Sequence, residues 1–221
     1  MGSGRLTMVL PAADLAAHLD GALVALREVA RAGGASASPT GEVWRTVSDE
    51  LVRLGPPVAV VPRAVPVCTA LPTHADDPLT AALLPLLPHL RWDRNASYDD
   101  PHFLERYGYC ELVGAGPWSS SAVRVGVLLL AAQTQYPAHA HPAEEIYLVL
   151  QGSALWSVAG AAAREVGPGA VVHHPAHAAH AMRALAAPLL ALYCWRGGIA
   201  SPARLVPDAA VSARNQHESM D

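Results

Sequence analysis

The sequence predicts a mainly β protein: a small antiparallel barrel or sandwich preceded by about three helices. Two observations carry this. Apolar residues recur at helical intervals in the first half and in short unbroken runs in the second, and Gly, Pro or Ser bounds those runs at roughly ten-residue spacing. The 221 residues are 52% hydrophobic and 15% charged, a compact globular composition with enough apolar side chain to bury a real core.

The first helix is read from Leu15, Leu19, Leu23, Leu26 and Val29, with Gly33 and Gly34 as its stop. A second comes from Val43, Trp44, Val47, Leu51 and Leu54, with Ser38 as cap, Pro39 at the first helical position and Gly55 at the end. A third starts near Pro78 behind Asp77, and Pro85 and Pro88 should bend or shorten it. Packing accounts for all of these residues. From about Glu111 the runs AVRVGVLLLAA, EIYLVLQG, ALWSVAG, GAVVHHP and LLALYCWRGG read as strands. The boundary falls between about 95 and 112, so 1–105 is expected to be a helical region packing on a β-barrel domain of 106–221.

The net charge of −4, with no basic cluster, excludes the electrostatic footprint of a nucleic-acid or anionic-membrane binder. Cys68, Cys110 and Cys194 lie far apart, which fits a reducing, cytoplasmic setting better than a disulfide framework. The apolar segment 8–30 is interrupted by Asp14, His18, Asp20, Arg27 and Glu28, and reads as neither signal peptide nor membrane span.

Against this apolar background stands YPAHAHPAEEIYLVLQG, residues 136–152. Side chains alternate along a strand, so His139, His141, Glu145, Tyr147 and Val149 share one face if Pro142-Ala143 is a mild irregularity. Glu144, Ile146 and Leu148 face the other way, which makes Glu145 the inward glutamate and Glu144 an outward, supporting one. Two imidazoles and a carboxylate are an incomplete ligand set for a borderline divalent metal. HHPAHAAH offers more histidines: His173, His174, His177 and His180. A metal-adjacent Tyr147 is a candidate base, because a divalent cation stabilises a phenolate whose solution pKa is about 10. Tyr193 and Trp195 share parity and are expected to face inward with Tyr136. Tyr107, Tyr109 and Trp118 are read as packing near the barrel mouth. Arg124 and Arg164 are read as solvated or paired with a substrate carboxylate.

HAHPAEE followed by LVLQG resembles the first cupin motif, HxHxxxE and then glycine, with His139, His141, Glu145 and Gly152 at the matching positions. PAHAAH resembles the second, PxGxxH, with His177 where that motif has glycine, and implies His180 as the fourth ligand. The resemblance covers about residues 112–197 and implies a double-stranded β-helix barrel with one divalent transition metal inside: Fe, Mn, Ni, Co or Zn. The longer run YPAHAHPAEEIYLVLQGSALW, with Trp195 in LYCW, is similar to the cupin-type dimethylsulfoniopropionate lyases. That resemblance implies a carbon–sulfur lyase acting on a small sulfonium carboxylate and releasing dimethyl sulfide and acrylate. It implies Tyr147 as the base, Tyr136 as its assistant or a pocket wall, and Tyr193 and Trp195 as substrate contacts. His141, Glu145 and His180 would hold the metal, and His139 would be a fourth ligand or a substrate contact. His173, His174 and His177 are read as loop histidines without a metal role in preference to a network behind the ligands, and the helical half is expected to help form a homodimer. Two alternatives stay open: a cupin dioxygenase, and a non-catalytic small-molecule-binding cupin.

Overall fold

The computed structural model of the chain describes residues 11–159 and 161–212. The ends of both expected regions, 1–10 and 213–221, and the first residues of the 8–30 segment lie outside the described residues.

Helices α1 (Ala12–Gly33) and α2 (Pro39–Arg53) match the periodicity. The Ser38 side chain accepts from the Gly41 N–H and Pro39 opens the helix, as its local chemistry dictates. Gly55 does not form the C-terminal cap: Leu54 already turns extended, because Pro56 and Pro57 cannot continue a helix. Helix α3 (Pro78–Leu83) is capped by Asp77, which accepts from the Thr80 N–H at 2.9 Å, and Pro85 and Pro88 reduce the next stretch of chain to a 3-10 turn at Leu87–His89.

Strand β1 (Trp92–Asp93) and helix α4 (Pro101–Glu105) precede the long β2 (Tyr107–Gly114). Then come β3 (Trp118–Ser119), β4 (Val123–Leu130), β5 (Gln135–Ala140), β6 (Glu144–Gln151) and β7 (Ala154–Val158). The chain continues with β8 (Arg164–Val166), β9 (Val171–His174), β10 (His180–Ala184), β11 (Leu189–Arg196), β12 (Arg204–Leu205) and α5 (Ala209–Ser212). One sheet runs β1-β2-β4-β11-β6-β9 with β3 beside β2, and the other runs β12-β5-β10-β7-β8. All pairings between these strands are antiparallel except β2 with β3.

The larger sheet is buried on both faces. Val125, Val127, Ile146, Leu190, Leu192 and Cys194 share one core with the buried residues of α1, α2 and α3, α2 lying against the sheet, while Leu128, Tyr147, Val149, Ala191 and Tyr193 fill the barrel interior. This explains why β4 and β11 read as unbroken apolar runs instead of alternating ones. One core therefore joins helices and barrel, and β1, from within the region expected to be helical, adds an edge to the larger sheet. The β6–β7 turn depends on Gly152, at φ +74°, where a Cβ would lie 2.1 Å from the Pro188 carbonyl oxygen.

Candidate metal centre

Strand β5 brings both Tyr136 and His139 inward although their parity differs. Opposite β10, His180 pairs with His139 but Met182 pairs with Tyr136, so three steps on β5 match two on β10. This bulge over Pro137-Ala138 turns the intervening residues and stacks the Tyr136 ring on His139, with centroids 4.3 Å apart. His141 comes just after the strand, Glu145 enters from β6, and His180 opens β10 opposite His139. The register Glu145↔His174 between β6 and β9 adds a fifth group. All five are fully interior: His139 1%, His141 4%, Glu145 1%, His174 0% and His180 1% exposed.

The imidazoles are pre-oriented. Nδ1 of His139 lies 2.9 Å from Pro137 O, that of His141 2.9 Å from Ala143 O, and that of His180 2.9 Å from Ala178 O. A carbonyl only accepts, so each Nδ1 carries the proton and each Nε2 is the nitrogen left to bind. One potential ligand atom from each of His139, His141 and His180 lies within 4.8 Å of the others, and the same holds for Glu145, His174 and His180.

Glu145 Oε2 lies 3.1 Å from His141 Nε2, 3.0 Å from His174 Nδ1 and 3.3 Å from His180 Nε2, while Oε1 accepts from Trp195 Nε1 at 2.5 Å. Burial alone would raise this carboxyl, but the His141 charge and the hydrogen bonds from the surrounding histidines hold it well below the ordinary range. Burial, then His180, pushes His139 well down; burial, then His174, takes His180 to about 4. Burial would also lower His141, yet the Glu145 carboxylate raises it.

An ionised carboxylate among imidazoles, His139 and His180 held neutral and His141 sharing its proton with Glu145, is the donor set of a borderline divalent cation, which would displace that proton on binding. A second observation tests that fit: Nε2 of His180 is buried with no well-aligned hydrogen-bond partner, a condition that costs roughly 1–3 kcal/mol unless something meets it. A cation bound by His180 and its neighbours meets that need. The cluster can therefore hold a metal.

A cavity of about 440 Å³ reaches the cluster at Glu145, and Tyr147, Tyr136, Tyr193, Trp195 and the arginines Arg91, Arg94 and Arg124 also line it. The Tyr147 ring lies 5.6 Å from His174, and burial together with Glu145 holds its phenol well above its ordinary value. Trp195 stacks on His141 at 4.1 Å, so its contact is with the cluster as well as with the cavity.

The structure corrects several expectations. His173 and His174 are not loop residues. His173 bonds Glu144 on the outer face at 2.8 Å, and His174 lies inside against Glu145. Parity along GAVVHHP, with Val172 and His174 on one face, was the signal that could have found it. His177 adopts φ +64°, the left-handed conformation for which the motif's glycine is suited, and its N–H donates to His141 O at 2.8 Å. Tyr107 and Tyr109 line the cavity, whereas Trp118 packs in the outer core. Tyr98 and Phe103 were missed: Tyr98 Oη donates to Tyr136 Oη at 3.1 Å and Phe103 stacks on Tyr136, contacts across many residues that no local pattern announces. Arg124 pairs with Glu111 at 3.0 Å, and Arg164 is exposed on β8, away from the cavity wall.

Comparison with known proteins agrees with this arrangement. The family model for dimethylsulfoniopropionate (DMSP) lyase matches residues 42–191. The chain is 37% identical over 111 residues to dimethylsulfoniopropionate lyase DddQ of Ruegeria pomeroyi, covering 49% of this chain and 55% of that one. It spans about half the length of the curated relatives it matches. The crystal structure of DddQ from Ruegeria pomeroyi superposes with a TM-score of 0.71 at 27% identity, covering 86% of this chain and 96% of that one. A chain from the crystal structures of the DMSP lyases RdDddP and RnDddQII superposes at 0.70 with 33% identity, covering 86% and 100%. The barrel is accordingly of the cupin type, and the chain belongs to the dimethylsulfoniopropionate lyase family.

Proposed function

We propose that this chain is a metal-dependent carbon–sulfur lyase that converts dimethylsulfoniopropionate to dimethyl sulfide and acrylate. The supporting observation is that Glu145, from the metal-competent cluster, and Tyr147 line one aromatic-walled cavity. His139, His141, Glu145 and His180 would hold one divalent cation, Fe, Mn, Ni, Co or Zn. When bound, it supplies a positive charge that stabilises a carboxylate, its developing enolate and a phenolate.

Tyr147 Oη, two residues from Glu145, would be the phenolate that such a charge stabilises, and as phenolate it takes the α-proton of the substrate and becomes the neutral phenol. The electron pair of that C–H bond forms the new carbon–carbon π bond, and the β-carbon–sulfur bond breaks with its pair leaving on dimethyl sulfide. No oxidant is consumed. Tyr136, Tyr193 and Trp195 hold the sulfonium against their rings, each contact contributing roughly 0.5–2 kcal/mol. Tyr136 is itself held by Tyr98 and lies 3.4 Å from Tyr107 Oη, which fits it as an assistant to proton transfer. His139, stacked on Tyr136, remains close enough to serve substrate as well as metal.

The test is headspace detection of dimethyl sulfide from protein loaded separately with each metal. Wild type should release it at the same rate with and without oxygen, and Glu145→Ala should lose both metal and activity. Tyr147→Phe should keep its metal and lose on the order of 10²–10⁴ in turnover, the usual contribution of a positioned acid or base. An active Tyr147→Phe would sink the proposed base.

The remaining assignments belong to the same reading. Residues 1–105 act as a helical buttress to a barrel domain of 106–221, and the protein works as a cytoplasmic homodimer. The three free thiols support a reducing setting, and light scattering of the purified protein checks the dimer. Among the described residues no helix is long and apolar enough to cross a membrane.

A further inference from the structure

His174 is fully buried on β9, yet it differs from the three tethered histidines in one respect. His139, His141 and His180 each spend Nδ1 on a backbone carbonyl and present Nε2. His174 instead turns Nδ1 to Glu145 Oε2 at 3.0 Å. An ionised carboxylate only accepts, so the proton of that bond sits on His174 Nδ1.

The second carboxylate oxygen is held from the opposite strand, where Trp195 Nε1 donates to Oε1 at 2.5 Å. Glu145 thus has a donor fixed on each oxygen, one from β9 and one from β11, both strands paired directly to its own. Packing does not account for a histidine here. A leucine or phenylalanine would fill the site without leaving the buried Nε2 unpartnered. The ring also stacks on His180 at 3.8 Å and meets Tyr147 edge-on at 5.6 Å, so its position bears on a ligand and on the base together.

We propose that His174 is a positioning residue: through Nδ1–H it sets the orientation in which the Glu145 carboxylate meets the cation, without being a ligand itself. This rests on the metal reading above. Hydrogen-bonding partners behind metal ligands typically change metal affinity by about 10–100-fold when removed.

The experiment compares His174→Asn, His174→Gln and His174→Leu by competition for Zn(II) against a chromophoric chelator and by the visible spectrum of the Co(II)-loaded proteins. Asparagine puts an N–H donor where Nδ1 lies, whereas glutamine puts its amide near Nε2 and leucine offers no donor. His174→Asn should keep Zn(II) affinity within a few-fold of wild type. His174→Gln and His174→Leu should lose roughly 10–100-fold, with the Co(II) bands of all three showing an unchanged ligand number. Loss of metal in all three variants with an altered Co(II) spectrum would make His174 a ligand, and wild-type affinity in all three would make it packing; either result overturns the proposal. Near-ultraviolet circular dichroism of the chelated proteins checks folding, and should His174→Leu fail to fold, the Asn and Gln pair carries the comparison. Wild-type protein that binds neither metal would instead overturn the metal reading of the whole cluster.

Discussion

Gly126 on β4 is where the barrel admits the Tyr193 side chain. A Cβ there would lie 2.4 Å from Tyr193 Oη and 2.3 Å from the Cys110 carbonyl oxygen, so even one methyl group must displace a ring and a neighbouring strand. Overpacking of this kind costs about 1–3 kcal/mol. Gly126→Ala should therefore lower the thermal midpoint by several degrees, at roughly 2–4 °C per kcal/mol for a chain of this size. It should also raise KM by pushing Tyr193 into the cavity; differential scanning calorimetry and substrate titration check the two effects. Trp195 calls for a different substitution. Phenylalanine keeps the stack on His141 but removes the N–H from Glu145 Oε1, a charge-assisted bond of about 1.5–3 kcal/mol. Trp195→Phe should weaken Zn(II) retention by roughly tenfold or more, and an unchanged chelator competition curve would refute that. Trp195 was legible as an inward aromatic because it shares parity with Tyr193. Its bond to Glu145 was not, since the register Trp195↔Glu145 joins strands fifty residues apart.

At the scale of elements, the outer face of the same strand pair carries a second polar set that ties α2 to the barrel. Arg196 on β11 donates through Nε and NH2 to Glu144 on β6, at 2.8 and 2.7 Å, and its NH2 also lies 3.2 Å from Glu42 on α2. The Glu144 arm is the more sheltered, with 22% of its side chain exposed against 57% for Glu42. Exposed ion pairs contribute roughly 0–1 kcal/mol, so a double-mutant cycle of Arg196→Met with Glu42→Gln should give a coupling near zero in urea unfolding. The cycle with Glu144→Gln should give about 1 kcal/mol, because two donors of one guanidinium meet one partly sheltered carboxylate. Equal couplings would mean that α2 is held at this point as firmly as the strands are. The twin glutamates show how far pattern reaches. Strand parity alone separated Glu144 from Glu145, apolar periodicity with its cap placed α2, and capping chemistry placed the start of α3. Parity failed across the β5 bulge, and β1, α4 and Tyr98 were invisible because their partners lie elsewhere in the chain.

The whole molecule should weaken in mild acid, and the sign is set by the cluster. The folded protein holds His180 at about 4 and His139 well below its ordinary value of about 6.5, both mainly through burial. Between those values the unfolded chain binds more protons than the folded one. The stability these two residues contribute is therefore present above about pH 6.5 and lost as the pH falls towards 4. At about 1.4 kcal/mol per unit, His180 alone accounts for roughly 3 kcal/mol over that range. His141 acts in the opposite sense. Its raised value contributes stability below about 6.5 that is lost as the pH rises through its folded pKa, so it offsets part of the trend without reversing two depressed histidines. Glu145, held low, extends the loss below the ordinary carboxylate range. With chelator present, the urea midpoint should fall between pH 7 and pH 5, and a flat or rising midpoint would contradict neutral imidazoles in the barrel. Added Zn(II) at 100 times its Kd should stabilise the fold by roughly 2.7 kcal/mol at pH 7. That increment must shrink as the pH falls, because protons compete for the same Nε2 atoms that hold the cation. Metal protection that persisted unchanged at pH 5 would place the cation away from His139, His141 and His180.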